Sequence, residues 1–319
     1  MTRLLITREM PERVQAAARA LPGADVTLRD DAAPLSPEAA QQALYDYDVI
    51  LPTLGDGFGE AAFSRADPPR ARLLANFGVG FNHIDVAAAR RRGIAVTNTP
   101  GAVTDATADI ALTLILMSTR RAGEGERMLR AGCWTGWEPT QLLGLHVSGK
   151  TVGIIGMGRI GQAIARRCHY GFGMTVIFSN RSEKQLDFPA EQMPQHELAR
   201  HADIIVIAVP GGRETHHLIG PGFLSSMRPH AHLVNISRGD VIDETALIAA
   251  LEAGQIAGAG LDVYEHEPDV PDALRRLENV TLLPHLGTAA LEVREAMGLM
   301  AIDNIRALIA GETLPNPVN

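Results

Sequence analysis

Short apolar runs alternate with longer amphipathic segments along the first hundred residues of the chain. The runs at residues 4–6, 26–28 and 49–51 have the length of buried strands, and residues 11–20 and 37–45 between them carry apolar positions at helical spacing. The same alternation then predicts a strand at residues 73–76, a helix at 84–92 and a strand at 94–96. This rhythm is typical of a parallel sheet that is covered by helices on both faces.

A second and longer series begins after Pro100-Gly101 interrupts the first. The helix predicted at residues 105–121 is apolar nearly all round, as is usual for a helix buried between two bodies. A looser stretch at residues 131–150 is followed by six predicted strands, at residues 151–155, 175–178, 204–209, 232–236, 258–262 and 280–283. That is about the strand count of a doubly wound nucleotide-binding domain.

The last amphipathic segment, residues 289–310, predicts that the chain returns to its first domain. We therefore expect an α/β protein with two doubly wound parallel-sheet domains, one of Rossmann type and a smaller, flavodoxin-like one built from both chain ends. The predicted division is residues 1–100 and 287–319 for the smaller domain and residues 101–286 for the Rossmann domain.

Composition and charge narrow the class of protein. The 319 residues are 46% hydrophobic, which suffices for two full cores, and the net charge of -8 disfavours nucleic acid as a partner. Cys133 and Cys168 are too few for a disulfide framework, which fits a reducing cytoplasm. Because no apolar run is long enough for a bilayer and no targeting signal is found, we expect a cytoplasmic protein with no membrane partner.

A glycine motif lies where a predicted strand turns into a helix. The apolar run at residues 151–155 leads directly into GMGRIG at residues 156–161. Gly156 permits the tight turn, Gly158 lets the backbone approach a pyrophosphate, and Gly161 allows the helix to pack closely on the strand. This context predicts a dinucleotide site.

The end of the next strand predicts which dinucleotide is bound. An NAD site normally has Asp or Glu there to bond the ribose hydroxyls, but this chain reads Ser179-Asn180-Arg181-Ser182. Arg181 can pair with a 2′-phosphate, and Asn180 and Ser182 can donate hydrogen bonds to it. We therefore predict NADP(H) in preference to NAD(H).

Three more polar segments follow predicted strands, at the carboxyl edge of the sheet where doubly wound folds bind ligands. They are NISRGD at residues 235–240, DVYEHEP at 262–268 and PHLG at 284–287. Together with VGFNHID at residues 79–85, NTPG at 98–101 and the glycine motif, they make the chain resemble the D-isomer-specific 2-hydroxyacid dehydrogenase family. The resemblance covers nearly the whole length and implies that the Rossmann domain binds NAD(P) and that the smaller domain binds substrate.

Within that family the chain is most similar to the glyoxylate and hydroxypyruvate reductases. The similarity is carried by TREMP at residues 7–11, TDATAD at 104–109, residues 134–139 and Arg181.

The chemistry of a 2-keto acid accounts for a histidine, a carboxylate and an arginine in these segments. Hydride addition to the carbonyl carbon builds negative charge on oxygen, so we expect His285 to donate a proton as general acid. A carboxylate beside the imidazole favours its protonated form, and the resemblance implies that this carboxylate is Glu267. The guanidinium of Arg238 can hold the substrate carboxylate and the carbonyl oxygen.

The resemblance implies further contacts with substrate and cofactor. The backbone N–H groups of Val79 and Gly80 would bind the substrate carboxylate, and Leu54 would line the same pocket. Trp137 would reach from one subunit of a homodimer into its neighbour's pocket, or would anchor the interface without selecting the substrate. Implied cofactor contacts, besides the glycines, are Thr107, Arg159, Ile160, Val209, Pro210, Ile236, Asp262 and Gly287.

These residues predict NADPH-dependent reduction of glyoxylate to glycolate and of hydroxypyruvate to D-glycerate. We expect no metal, because His216, His217, His230 and His232 have no companion at metal-ligand spacing. Two alternatives stay open: a reductase of bulkier 2-keto acids on the same three residues, and a dinucleotide-sensing interaction protein of the co-repressor kind. A formate dehydrogenase is disfavoured, because it would have glutamine in place of Glu267.

Overall fold

The computed structural model describes residues 1–319. Twelve strands are formed: β1 (Thr2–Ile6), β2 (Ala24–Leu28), β3 (Val49–Leu51), β4 (Leu73–Ala75), β5 (Ala95–Thr97), β6 (Thr151–Ile155), β7 (Thr175–Ser179), β8 (Glu191–Gln192), β9 (Ile204–Ile207), β10 (His232–Asn235), β11 (Gly258–Leu261) and β12 (Val280–Leu282). Eleven α-helices are formed: α1 (Glu12–Arg19), α2 (Pro37–Asp46), α3 (Val86–Arg91), α4 (Thr104–Thr119), α5 (Ala122–Arg130), α6 (Arg159–Arg166), α7 (Gln195–His201), α8 (Pro221–Leu224), α9 (Glu244–Glu252), α10 (Asp272–Arg276) and α11 (Leu291–Ala310).

The chain divides into two compact units. Unit 1 comprises Met1–Val103 and Ala289–Asn319, and unit 2 comprises Thr104–Thr288. The sequence places these divisions two or three residues earlier, at 100/101 and 286/287. Each unit is built on its own parallel sheet, which confirms the predicted fold class.

The sheet of unit 1 has the strand order β2-β1-β3-β4-β5, which is the flavodoxin-like order. Alternate residues of its central strands enter different cores because successive side chains point to opposite faces. Leu4 and Ile6 lie in one apolar cluster and Leu5 lies in the other. Helix α11 packs on α1 in the first cluster, where a Cβ at Gly298 would overlap the Val14 side chain. The end of the chain therefore completes unit 1.

Capping side chains mark the start of several helices. The Ser36 hydroxyl accepts a hydrogen bond from Ala39 N at 3.2 Å and Pro37 occupies the first turn, so α2 begins there. The carboxylates of Asp85 and Asp243 cap α3 and α9 in the same way. These caps pair N–H groups that would otherwise have no partner inside the helix.

A fully buried carboxylate shapes the loop that follows β3. Asp56 Oδ2 accepts hydrogen bonds from Thr7 Oγ1 at 2.6 Å and Thr53 N at 2.7 Å, and Asp56 Oδ1 accepts one from Leu35 N at 2.9 Å. Arg8 Nη2 lies 3.8 Å from Asp56 Oδ1 and donates to the carbonyl of Leu54 at 2.9 Å. The loop that carries Leu54 is therefore held by the Asp56 carboxylate and by the Arg8 side chain.

Asp56→Ala is expected to lower the free energy of unfolding by about 2–4 kcal/mol, because several buried donors lose their acceptor at once. Urea denaturation measures the loss. The control is Asp25→Ala, an exposed carboxylate on β2, which should change the free energy of unfolding by less than about 0.5 kcal/mol. Equal losses in the two variants would contradict a structural role for the Asp56 carboxylate.

The sheet of unit 2 has the strand order β12-β11-β10-β9-β6-β7-β8. This is the Rossmann order with one additional strand, and its direction of winding reverses between β6 and β9. Both faces are covered by apolar clusters: Val152 and Ile154 enter one and Ile155 enters the other. Helix α4 packs on this sheet through Ala108, Ala111 and Leu114. Because β6, β9 and β10 are parallel neighbours, their carboxyl ends lie at one edge of the sheet.

The structure differs from the predicted elements in unit 2 at several places, one of which is the short strand β8, which was not predicted. The helix predicted at residues 105–121 ends at Thr119, because Arg121 adopts a left-handed φ of 51°. Helix α5 was not predicted, since none of its residues is buried and its pattern therefore lacks a core face. Helix α6 begins at Arg159, inside the glycine motif, and passes into a π-turn at residues 167–171.

No helix combines the length and the apolar character that crossing a membrane requires.

Candidate active site

The glycine motif forms the turn between β6 and α6. Gly156 has a left-handed φ of 99°, and a Cβ there would lie 2.6 Å from the carbonyl oxygen of Ala208. A Cβ at Gly161 would overlap the carbonyl oxygen of Gly156, so close packing of helix and turn requires glycine. A Cβ at Gly158 would meet no atom within 4 Å. The turn is thus closed at two glycines and open at the third, where a pyrophosphate could approach the backbone.

The end of β7 is tied to this turn. Asn180 Oδ1 accepts a hydrogen bond from Met157 N at 3.1 Å, and Asn180 Nδ2 donates to the carbonyl oxygen of Ser182 at 2.8 Å. The Arg181 side chain is 84% exposed and pairs with Glu214 across 2.5 Å. Asn180 therefore uses its amide within the protein, whereas the Arg181 guanidinium is exposed and paired with Glu214.

Three chemistry-bearing side chains follow three neighbouring strands. Arg238 comes after β10, Glu267 after β11 and His285 after β12, and these strands are adjacent in the sheet. Because parallel strands end at the same edge, sequence segments far apart meet there. His285 Nδ1 lies 2.8 Å from Glu267 Oε2, and each of the two side chains is 30% exposed.

Charge and burial set the protonation of Glu267. Burial by itself raises the pKa of Glu267, but the hydrogen bond and charge of His285, a hydrogen bond from Tyr264 N and the charge of Arg238 outweigh it. The pKa of Glu267 consequently lies below its usual value, so the carboxylate is ionised at neutral pH. An ionised Glu267 accepts a hydrogen bond from Nδ1–H of His285, and Nε2 of the same ring is not engaged by this carboxylate.

The Arg238 side chain bonds back to the strand end that precedes it, and its Nε is buried. Burial lowers the pKa of Arg238, against the attraction of Glu267 and Asp240, and the guanidinium stays charged. Its Nη1 donates to the carbonyl oxygen of Ser237 at 2.6 Å, while its buried Nε has no hydrogen-bond partner. An unpaired donor in a buried cation is a place where an anionic ligand gains a strong hydrogen bond.

A glycine beside Arg238 brings the two loops together. A Cβ at Gly239 would overlap the backbone carbonyl of Tyr264, so the segment after β10 and the loop after β11 touch through glycine. Tyr264 N donates to Glu267 Oε1 at 3.0 Å, which fixes the carboxylate from the same loop. Gly239 was not among the predicted site residues, although it stands inside the NISRGD segment.

Asp262 holds the turn that carries His285. Its carboxylate accepts hydrogen bonds from Leu286 N at 2.6 Å and Gly287 N at 2.8 Å, and its carbonyl accepts one from His285 N at 3.0 Å. Burial raises the pKa of Asp262. Thr107 Oγ1 donates to the carbonyl of Gly287 at 3.2 Å. Three residues expected at the cofactor, Thr107, Asp262 and Gly287, thus form one connected group.

The other expected cofactor residues lie along the same edge of the unit 2 sheet. Their places follow from the strands that precede them: Arg159 and Ile160 begin α6, Val209 and Pro210 follow β9, and Ile236 follows β10. Trp137, in the segment that follows α5, is 81% exposed.

Unit 1 presents two backbone donors in the loop after β4. Asn76 Nδ2 donates to the carbonyls of Gly78 and Gly80, each at 3.0 Å, and Asn98 Nδ2 donates to the carbonyl of Val79 at 2.9 Å. The N–H groups of Val79 and Gly80 make no hydrogen bond within the protein. Asn76 and Asn98 were not among the predicted site residues, although Asn98 stands in the NTPG motif.

Residues 112–287 match the family model described as D-isomer specific 2-hydroxyacid dehydrogenase, NAD binding domain. The chain belongs to the D-isomer specific 2-hydroxyacid dehydrogenases. This D-2-hydroxyacid dehydrogenase is 40% identical over 324 residues to the glyoxylate reductase of Thermococcus onnurineus, covering 99% of this chain and 96% of that relative. It is 45% identical over 289 residues to the glyoxylate reductase of Thermococcus gammatolerans, covering 88% and 86%.

Two solved structures are similar over nearly their full length. A protein of Thermus thermophilus has a TM-score of 0.91 and 38% identity, covering 99% of this chain and 100% of that one. The NADPH-dependent glyoxylate/hydroxypyruvate reductase of Sinorhizobium meliloti, in complex with NADP and malonate, has a TM-score of 0.86 and 35% identity, covering 99% and 96%.

Membership in the family confirms the resemblance drawn from the sequence. Unit 2 contains the NAD-binding domain of a D-2-hydroxyacid dehydrogenase, so the protein is an oxidoreductase that uses a nicotinamide dinucleotide. The residues present fit that cofactor: the turn is open at Gly158, which is the N-cap residue of α6, and no side chain bonds the first N–H groups of this helix.

Proposed function

We propose that this D-2-hydroxyacid dehydrogenase reduces small 2-keto acids, namely glyoxylate to glycolate and hydroxypyruvate to D-glycerate, and that it prefers NADPH to NADH. The observation that carries the proposal is the 2.8 Å contact of His285 Nδ1 with Glu267 Oε2, beside the buried guanidinium of Arg238. The names of the similar glyoxylate and glyoxylate/hydroxypyruvate reductases support the choice of substrates.

His285 is the general acid of the proposed reaction. When bound, the reduced nicotinamide supplies a hydride to the carbonyl carbon, and negative charge develops on the carbonyl oxygen. The Nε2 proton of His285 neutralises that charge, while the carboxylate of Glu267 stabilises the imidazolium through Nδ1–H. In the reverse direction the neutral imidazole accepts the hydroxyl proton at the same atom.

Anion-binding groups orient the substrate in this proposal. Arg238 offers a planar fork of donors to the carboxylate and the carbonyl oxygen, and its buried Nε gains a partner when substrate binds. The unpaired N–H groups of Val79 and Gly80 are proposed to bind the substrate carboxylate, and Leu54, held by Arg8, is proposed to line the pocket.

The proposal includes a homodimer in the cytoplasm. Trp137 is assigned to the pocket of the neighbouring subunit, and its 81% exposure leaves the indole available for such a contact. Leu129 and Leu143, which flank the same segment, are 62% and 66% exposed and support an apolar interface there. The unpaired Cys133 and Cys168 are consistent with a reducing compartment.

Initial rates of NADPH and NADH oxidation test the function directly. Glyoxylate, hydroxypyruvate, pyruvate and phenylpyruvate are each supplied as acceptor at neutral pH. Fast loss of NADPH with the first two acceptors is the expected result. A preference for phenylpyruvate would replace the proposed substrates with bulkier 2-keto acids, and dinucleotide binding without turnover would favour the sensing protein over an enzyme.

Arg181→Ala is expected to weaken NADPH binding by roughly 10–100-fold, because a charge-assisted hydrogen bond to phosphate contributes about 1.5–3 kcal/mol. NADH has no 2′-phosphate, so its Kd should change by less than about twofold. Fluorescence titration with each dinucleotide gives the two Kd values. Glu214→Gln is the matched control: it removes only the carboxylate that pairs with Arg181 and should not weaken NADPH. Equal losses for NADPH and NADH would contradict the role of Arg181.

A further inference from the structure

We propose that His216, His217 and Glu265 form a zinc-binding site next to the loop that carries Glu267. One ligand atom from each of the three side chains lies within 4.8 Å of the other two. The histidines belong to the segment that follows β9, and Glu265 belongs to the loop that follows β11. The ligands therefore come from two segments far apart in sequence, which is why no motif spacing reveals them.

The donor set suits zinc. Two imidazole nitrogens and a carboxylate oxygen are common zinc ligands, at about 2.0–2.2 Å from the metal, and tetrahedral geometry then separates the ligand atoms by roughly 3.3 Å. His217 Nε2 lies 2.8 Å from Glu265 Oε1, so a movement of under about 1 Å admits the ion between them. The His216 ring stacks on that of His217 with centroids 4.0 Å apart, so the second imidazole lies beside the first and has to rotate to direct a nitrogen at the same ion.

Backbone contacts hold the ligands in place. His217 N donates to the carbonyl of Asp240 at 2.8 Å, which anchors the histidine segment. Glu265 Oε2 accepts from Glu244 N at 3.4 Å, and Glu265 N donates to Glu244 Oε2 at 3.4 Å, which anchors the carboxylate. Ligands fixed by their surroundings lose less conformational freedom when a metal binds.

The electrostatic surroundings favour a cation. The carboxylates of Asp240 and Asp243 act on His217 in addition to that of Glu265, and Glu244 lies against Glu265. His217 and Glu265 keep side-chain exposures of 36% and 17%, so water can complete the coordination. A zinc ion there would replace the hydrogen bond between His217 and Glu265 with metal bonds and join the histidine segment to the loop of Glu267.

Calorimetric titration of the chelator-treated, full-length protein with zinc chloride tests the site, and cobalt absorption spectra provide a second probe. One zinc per chain is expected. His216→Ala and Glu265→Gln should each raise the Kd for zinc by at least about tenfold, since each removes one of three protein ligands. His216 is an exposed side chain, and Glu265→Gln retains the hydrogen-bond acceptor for Glu244 N.

His146→Ala is the matched control, an exposed histidine outside the cluster that should leave the Kd for zinc unchanged. Absence of stoichiometric zinc binding, or a Kd that is the same in the parent, His216→Ala and Glu265→Gln proteins, would overturn the proposal. The readout is metal binding in the absence of substrate, so the result is independent of which 2-keto acid is reduced.

Discussion

His285→Ala is expected to lower kcat for glyoxylate reduction by roughly 10²–10⁴-fold, the range that one positioned acid or base contributes. The variant lacks the only imidazole bonded to Glu267, so no side chain protonates the developing alkoxide from that position. The backbone of residue 285 still bonds Asp262, and the glycine turn after β6 is untouched. NADPH binding should therefore stay within about twofold of the parent value, because the lost interaction belongs to the transition state.

Two further variants sharpen this test. Glu267→Gln keeps a hydrogen-bond acceptor for His285 Nδ1 but removes the charge that favours the imidazolium, so its kcat should fall between those of the parent and His285→Ala. His266→Ala is the control, an exposed histidine in the same loop, and should retain the parental kcat. Parental turnover by His285→Ala would remove His285 from the proposed reaction.

Arg238→Lys is expected to lower kcat/KM for glyoxylate by roughly 10²–10³-fold, which corresponds to about 3–4 kcal/mol. Lysine keeps the positive charge but offers a point charge in place of a planar fork, so it cannot make two parallel hydrogen bonds to a carboxylate. It also lacks the buried Nε that has no partner in the protein. Steady-state kinetics with varied glyoxylate separates the effects on KM and kcat.

The matched control for this change is Arg228→Lys. Arg228 is also in unit 2, but it pairs with Asp203 across 2.9 Å and is not one of the proposed site residues. Its kcat/KM should stay within about twofold of the parent. If Arg238→Lys has an unchanged KM and kcat, the guanidinium does not bind the substrate, and its burial serves the fold instead.

The glycine turn and the three strand ends could be predicted because their signals are local. A strand followed by G-x-G-x-x-G and a helix predicts a tight turn at the first glycine, and Gly156 there has a left-handed φ of 99°. Arg238, Glu267 and His285 each follow an apolar run that reads as a strand, and parallel strands end at a shared edge. The proximity of His285 to Glu267 follows from topology, whereas the distance of 2.8 Å between Nδ1 and Oε2 depends on the conformation of the two loops.

Other features depend on which loops approach one another. The side chain of Asn180 bonds Met157 and Ser182, because the end of β7 lies against the glycine turn, and its contact with the cofactor phosphate stays a prediction. Helix α5, which was not predicted, has no buried residues, so the pattern of hydrophobic positions does not indicate a helix there. Gly239 likewise packs on Tyr264, and no sequence pattern predicts that these two segments come into contact.

The sequence by itself determined the two parallel-sheet folds, the dinucleotide turn and the identity of the residues at the sheet edge. Periodicity and short motifs suffice for these, since each depends on neighbours within a few turns of the chain. Only the tertiary structure decided the partners of individual side chains: Glu265 beside His216 and His217, Glu214 beside Arg181, and Asp56 among its donors. Such contacts depend on how whole helices and strands pack against one another. Every buried residue contributes a small part of that packing, so no single residue or short motif predicts which side chains will meet.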